Sequence, residues 1–155
     1  MFIKLSRAHD SVGHAVNRGL VDAGLTVSQF GTLEALYHLG PLSQREVGVK
    51  ILKSSGNITL VIDNLEKRAL VRRVACPTDR RVTTLNLTDA GRALIERIFP
   101  AHVREIVETM SVLTKTEQDE LARLTKKLGR GAAARAAGAE PREASPRVRR
   151  AKLVR

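Results

Sequence analysis

The 155-residue chain holds one cysteine, no tryptophan and only four aromatic residues, three Phe and one Tyr. A lone cysteine cannot close an intrachain disulfide or build a structural zinc site, so the fold has to stand on packing, and no metal or cofactor is expected. At 3% aromatic, the chain has too few rings for the base-stacking platforms of single-stranded nucleic-acid readers. Long apolar runs are missing too: nothing approaches the roughly 20 residues of a membrane span. The N-terminus, MFIKLSRAHDSVGHAV, is charged from Lys4 onward and lacks the apolar centre of a secretory signal. A soluble cytoplasmic protein with no membrane partner is the expectation. Catalytic inventory is equally thin. There is no glycine-rich phosphate loop, nucleophile motif or His/carboxylate constellation at recognisable spacing, so an enzyme is not expected.

What is present is a 43% hydrophobic composition, enough for one packed domain plus extensions, and a formal net charge of +11. The distribution of that charge says more than its size. Residues 44–92 hold ten Lys/Arg against five Asp/Glu, residues 130–155 hold eight against two, and the rest of the chain carries nine of each. A uniformly solvated surface would spread its charge. Concentration in two segments is the pattern expected for a partner with a phosphate backbone.

Periodicity organises the chain further. Leu5, Ala8, Val12, Val16 and Leu20 recur at three- and four-residue steps, predicting a first helix over residues 3–22 that Gly24 stops. Thr26-Val27-Ser28-Gln29 has capping-box spacing, and Phe30, Leu33, Leu36 and Tyr37 give the buried face of a second helix ended by Gly40-Pro41. Ser43 and Glu46 repeat that spacing at the head of a short third helix with Val47 and Ile51 inward. From about Ser54 a fourth helix buries Ile58, Val61, Ile62 and Leu65. Val71–Ala75 and Val82–Leu87 are rich in β-branched residues and flank a turn with Pro77 and Asp79, predicting a hairpin. Thr88 can cap a long fifth helix bent near Pro100. Thr114 with Glu117 opens a last helix lined by Leu121, Leu124 and Leu128 and ending at Gly129. Residues 130–155, with small residues, Arg and two prolines, are predicted to be disordered.

Helix, turn, helix and basic hairpin, from Pro41 to Gly91, is the order of a winged helix-turn-helix, so duplex DNA is the first partner to consider. At about 100° per residue, Gly56, Leu60, Asp63, Asn64 and Lys67 face away from the apolar side of the fourth helix, with Asn57 and Thr59 on the flanks. Ser54, Ser55, Asn57 and Thr59 are candidates for base edges. Asn57 can donate and accept at once to adenine, whereas Ser54 serves equally as a helix cap. Leu60 could meet a thymine methyl, although a lone exposed leucine needs no function. Arg80 and Arg81 occupy the turn, where a guanidinium can enter a narrow minor groove. Lys53, Lys67, Arg72 and Arg73 are expected on phosphates, setting affinity and salt dependence without choosing sequence.

From about Leu25 to Leu128 the chain resembles the MarR family of bacterial winged helix-turn-helix transcription regulators. The segments that carry the resemblance are LTVSQFGTLEAL, ITLVIDNLEKRALVRR and DRRVTTLNLTDAG, with Asp79, Arg81, Leu87, Thr88 and Gly91 the most specific. It implies a mainly α fold with a small β-hairpin wing. The winged helix-turn-helix would span residues 25–87. Residues 1–24 and 88–129 would form a helical dimerisation region that intertwines in a homodimer. The basic tail, residues 130–155, is not generally carried by the family. Periodicity alone leaves the apolar stripes of the first, fifth and sixth helices open as intramolecular core or dimer seam. The resemblance also assigns Arg81 the minor-groove role, with Asp79 holding it in place.

Regulation is implied by the same resemblance: a repressor, released from DNA by a small aromatic or phenolic ligand held between the dimerisation helices and the winged domain. His9, His14, Tyr37 and His38 are the expected lining groups. Cys76, near Arg72, Arg73 and Arg80, is the candidate for an oxidant-sensitive thiolate. A twofold dimer would read a pseudo-palindromic operator with half-sites roughly 10 bp apart. The competing class is a nucleoid-type architectural binder with weak sequence preference. One departure stands out: Ala69 sits where the family usually has glycine, at a site that often needs positive φ, which would cost alanine on the order of 1 kcal/mol.

Overall fold

The computed structural model describes residues 1–51, 55–75 and 83–138. In chain order the elements are α1 (Phe2–Val16), α2 (Arg18–Asp22), α3 (Val27–Leu39), β1 (Leu42–Ser43), α4 (Gln44–Lys50), α5 (Ser55–Lys67), β2 (Val71–Ala75), β3 (Thr83–Leu87), α6 (Asp89–Met110) and α7 (Lys115–Gly138). Met1–Val112 form one compact unit, and the chain from Leu113 onward belongs to a second. The three strands lie in the order β1-β3-β2, all antiparallel.

Helix starts follow the local chemistry. At Thr26 the side chain accepts from the Gln29 amide at 3.2 Å while the Gln29 side chain accepts from the Thr26 amide at 2.9 Å. Ser43 and Glu46 make the same reciprocal pair, and Thr114 with Glu117 opens α7 likewise. Each pair satisfies two amides that a helix N-terminus would otherwise leave without partners. Thr88 caps α6 by accepting from the Gly91 amide at 3.0 Å.

The core of the first unit gathers Leu20, Leu25, Phe30, Leu33, Leu36, Val47, Ile58, Ile62, Leu65, Leu70, Val71, Leu85 and Ile95. On α5 alone, Ile58, Ile62 and Leu65 are fully buried. At roughly 1.5–3 kcal/mol each, their burial holds that helix to the scaffold with several kcal/mol before chain entropy is counted. Thr32 is the buried polar residue among the described residues, and its hydroxyl donates to the Ser28 carbonyl at 2.8 Å.

Two local expectations are corrected, the unbroken first helix and the stop of the last helix at Gly129. The first helix is not continuous: it breaks at Asn17 into α1 and α2. Asn17 and Gly19 are weak helix formers, and the break turns Leu20 into the core while none of the α1 residues is buried. Strand β1 was not anticipated; its two residues pair Leu42 with Leu85 and Ser43 with Thr84. Pro100, near which a bend is expected, lies exposed within α6, which runs from Asp89 to Met110. Finally, α7 does not stop at Gly129 but runs to Gly138. The Ala133-Ala134 neighbourhood has high helix propensity, which outweighs the cost of Gly129 and Gly131. Residues 130–138 are therefore helical rather than disordered. No helix among the described residues is long and apolar enough to cross a membrane.

Candidate nucleic-acid interface

α5 presents one face to the core and the other to water. Opposite Ile58, Ile62 and Leu65 lie Asn57, Thr59 and Leu60, all exposed, with Leu60 at 64%. Lys67 is exposed in the last turn. Thr59 is tied to the preceding helix: Gln44 Nε2 donates to Thr59 Oγ1 at 2.7 Å. This contact links α4 to the outer side of α5, and Gln44 was not singled out in the sequence because nothing local pairs residues 15 apart. Ser55 is the first residue of α5. Lys53, Ser54, Cys76, Asp79, Arg80 and Arg81 lie outside the described residues.

The two arginines of β2 take opposite parts. Along a strand, alternate residues share a face. Arg73 shares the face of buried Val71, whereas Arg72 is exposed on the other side. The Arg73 guanidinium donates to Asp63 Oδ1 at 2.6 Å and to the Glu66 carboxylate, and the Arg73 amide donates to Glu66 Oε1 at 3.2 Å. The hydrogen bond that Arg73 donates to Asp63 is the main reason the Arg73 pKa is raised; partial burial opposes this, and the Glu66 charge adds to it. Arg73, expected on a phosphate, directs a hydrogen bond from each terminal nitrogen to Glu66 and Asp63, which clamps β2 to the second half of α5. Arg72, also expected on a phosphate, turns to solvent.

At the far end of α5 the chain turns sharply. Ala69 adopts φ 53°, the left-handed conformation expected at that position. Thr88 Oγ1 donates to the Ala69 carbonyl at 2.6 Å, and the Thr88 amide donates to the Leu70 carbonyl at 3.2 Å. Gly91 packs directly on this turn: a Cβ there would sit 2.0 Å from the Leu70 oxygen. The end of α5, the start of β2 and α6 therefore meet at one joint, closed by a residue without a side chain.

Two cavities adjoin this scaffold. One, of about 580 Å³, brings together His9 of α1 and His38 of α3 with Val27, Gly31, Lys50 and Ile51. The other, of about 430 Å³, lies among α1, α2 and α6 and is lined by Val16, Leu20, Ile98, Arg18, Arg97 and His102, with Asp22 and Glu105 also present. Of the four expected lining groups, His9 and His38 share a cavity and His14 is exposed on α1. Tyr37 instead stacks edgewise on His38 at 5.0 Å and beneath Arg92 at 5.5 Å. Arg18, Arg97 and His102 were missed because their spacing along the chain carries no periodic signal. His102 also touches the buried Phe30 ring at 4.4 Å, and His38 touches Phe99 at 4.9 Å, so imidazole-aromatic contacts stitch α3 to α6.

The MarR family profile matches residues 23–82. The HTH-type transcriptional regulator MhqR of Bacillus subtilis (strain 168) is 43% identical over 129 residues, 83% of this chain and 89% of its own length. This chain belongs to the MarR family. Among solved structures, Bordetella bronchiseptica BpsR, described for regulation of its DNA binding by 6-hydroxynicotinic acid, is 28% identical with a TM-score of 0.76, covering 83% of this chain and 92% of that one. A MarR family regulator of Streptomyces coelicolor, solved in complex with DNA, is 25% identical with a TM-score of 0.78 and 84% coverage of each chain. As a MarR-type regulator the chain is a DNA-binding transcription regulator with a winged helix-turn-helix.

Proposed function

We propose that the protein is a homodimeric repressor that reads a pseudo-palindromic operator with α5 in the major groove and is released by a small aromatic acid or phenol. The observation that carries this reading is the two-faced α5: its inner side is locked into the core, while Asn57 and the 64%-exposed Leu60 lie exposed on its outer side, where Gln44 holds the Thr59 hydroxyl. Asn57 and Leu60 match adenine and the thymine methyl in chemistry, and Arg72 and Lys67 flank them for phosphates. Support for the dimer comes from apolar side chains that the single chain leaves uncovered: Phe2 and Ile3 on α1, Ile106 and Val107 on α6, Leu124 and Leu128 on α7. Exposed apolar side chains on these helices favour burial against a second copy, and a twofold pairing would place two copies of α5 about one DNA turn apart.

For the effector, the cavity holding Arg18, Arg97 and His102 has the better chemistry. Its guanidinium groups suit a carboxylate, its Val16, Leu20 and Ile98 walls suit an aromatic ring, and Asp22 and Glu105 can accept from a phenolic hydroxyl. The hydroxylated aromatic acid that regulates BpsR has this form. Through the His102-Phe30 contact a ligand there would bear on α3, the helix beneath the reading head.

The test is fluorescence-anisotropy binding to the intergenic DNA beside the gene, against scrambled duplex, at near-physiological salt. A preference of at least ~10³-fold supports a specific regulator, and Asn57→Ala should reduce it by roughly 10-fold or more. Equal binding to both duplexes would favour the architectural reading. A panel of hydroxybenzoates should then release the operator complex of the wild type but not of Arg97→Ala.

A further inference from the structure

α7 carries its charge in two unlike halves. In the first, cations have anions beside them: Lys115 Nζ is 2.8 Å from Asp119 Oδ1, and Arg123 Nε is 2.7 Å from Glu120 Oε2. From Leu121 to Gly138 there is no Asp or Glu, yet the stretch holds Arg123, Lys126, Lys127, Arg130 and Arg135. Lys126, Lys127 and Arg130 make no ion pair among the described residues. At about 100° per residue these three fall within roughly a third of the helix circumference, and Leu121, Leu124 and Leu128 fall on the far side. Burying the leucines against another helix thus leaves the basic strip in water. The continuation of α7 through the Ala-rich stretch gives the strip fixed spacing. In the sequence beyond, residues 139–155 add six Lys/Arg against two Glu.

We propose that Lys126, Lys127 and Arg130 form a second, sequence-independent docking site for the phosphate backbone of duplex DNA, separate from the winged reading head. The inference rests on the DNA-reading role proposed above but shares no residue with it. Duplex DNA fits better than a lipid surface, because α7 has no aromatic residue, and after Leu128 it offers only Ala and Gly as apolar groups to insert. A strip of unneutralised point charges without an apolar anchor suits a uniform polyanion, where each contact releases counterions. An even-handed solvent face would interleave both signs, as the first half of the same helix does.

The experiment uses the full chain and a random-sequence duplex, so it needs no knowledge of the operator. The Lys126→Gln/Lys127→Gln/Arg130→Gln variant keeps residues of similar helix propensity and leaves the leucines intact. Circular dichroism should match the wild type. The slope of log affinity against log salt should shrink by about 2.7 per protomer engaged, at about 0.9 per phosphate contact. Affinity at low salt should fall at least ~10-fold, equally for random and native intergenic duplexes. An unchanged slope would overturn the proposal. So would an equal loss in Lys4→Gln/Arg7→Gln/Arg104→Gln, which removes the same charge from α1 and α6, or a variant whose sole defect is binding to phosphatidylserine vesicles. Asn57→Ala separates the two readings: it should lower the preference for the native site without touching the slope, so failure of the reading head and failure of the strip show in different observables.

Discussion

Replacing Gly91 with alanine should destabilise this protein although the substitution improves helix propensity. Gly91 lies in the first turn of α6, where Gly→Ala in the absence of tertiary contact would gain about 1 kcal/mol. In the folded chain, however, the added Cβ would lie 2.0 Å from the Leu70 carbonyl oxygen, 2.9 Å from the Leu70 carbonyl carbon and 3.2 Å from Leu87 Cδ2. Ordinary C···O contacts begin at roughly 3.3 Å, so the helix start and the turn must part by more than about 1 Å. That separation strains or breaks the Thr88 hydroxyl bond to Ala69 and the Thr88 amide bond to Leu70, worth about 0.5–1.5 kcal/mol each, and adds an overpacking cost of about 1–3 kcal/mol. The net expectation is a loss of about 2–4 kcal/mol, or roughly 5–15 °C in Tm for a chain of this size. Urea unfolding followed by circular dichroism, at one fixed protomer concentration because a dimer's stability depends on it, measures this directly. Gly129→Ala is the control: it sits in α7, and no described heavy atom lies within 4 Å of its built Cβ, so it should show the propensity gain alone. A Gly91→Ala protein as stable as the wild type, or gaining as Gly129→Ala gains, would refute the close-packed joint.

Three further outcomes follow from the same geometry. Ala69→Gly should stabilise by about 0.5–1 kcal/mol, since relief of a left-handed alanine exceeds the entropy glycine adds to the unfolded chain; a neutral or negative result by the same urea titration would count against the observed turn. Arg73→Ala should weaken DNA binding without changing its salt slope, whereas Arg72→Ala should lower the slope by about 0.9 per protomer; a double-mutant cycle of Asp63→Ala with Arg73→Ala should give a coupling of about 1 kcal/mol or less, because the pair is partly exposed. Hydrogen bonds from the Ser43 hydroxyl and amide lower the pKa of Glu46, so its contribution is present above the unfolded carboxylate pKa and is lost as pH falls below about 4.3 through the lower folded value. Glu46→Gln keeps an acceptor for the capping box, so its stability should fall less steeply over that acid range; a profile parallel to the wild type would mean that the carboxylate charge plays no part.

Much of the reading head was legible because its determinants are local in the chain. A capping box needs only a Ser or Thr and a Glu or Gln three residues apart, and the Thr26, Ser43 and Thr114 starts formed as their spacing required. The inner face of α5 follows from the 3.6-residue period, and the strands β2 and β3 from their β-branched runs. Ala69 could be singled out only through the resemblance, because the family usually has glycine at that place, and it does take the left-handed region. The caps, the inner face and the strands are decisions that a few neighbouring residues make by themselves.

Other features existed only once distant segments met. Arg73 reads as one more cation in a basic run, and its commitment to Asp63 and Glu66 depends on which side of β2 lands against α5. Strand β1 has two residues and no propensity of its own to speak of; it exists because β3 offers an open edge at Leu85 and Thr84. His9 and His38 share a cavity while His14 does not, a distinction set by how α1 lies over α3. The sequence alone determined the order of helices, their caps and the apolar faces that demanded burial. Tertiary structure decided which charges pair, where Gly91 touches the turn and which side chains line a cavity, because those energies depend on distances across the fold that no spacing along the chain encodes.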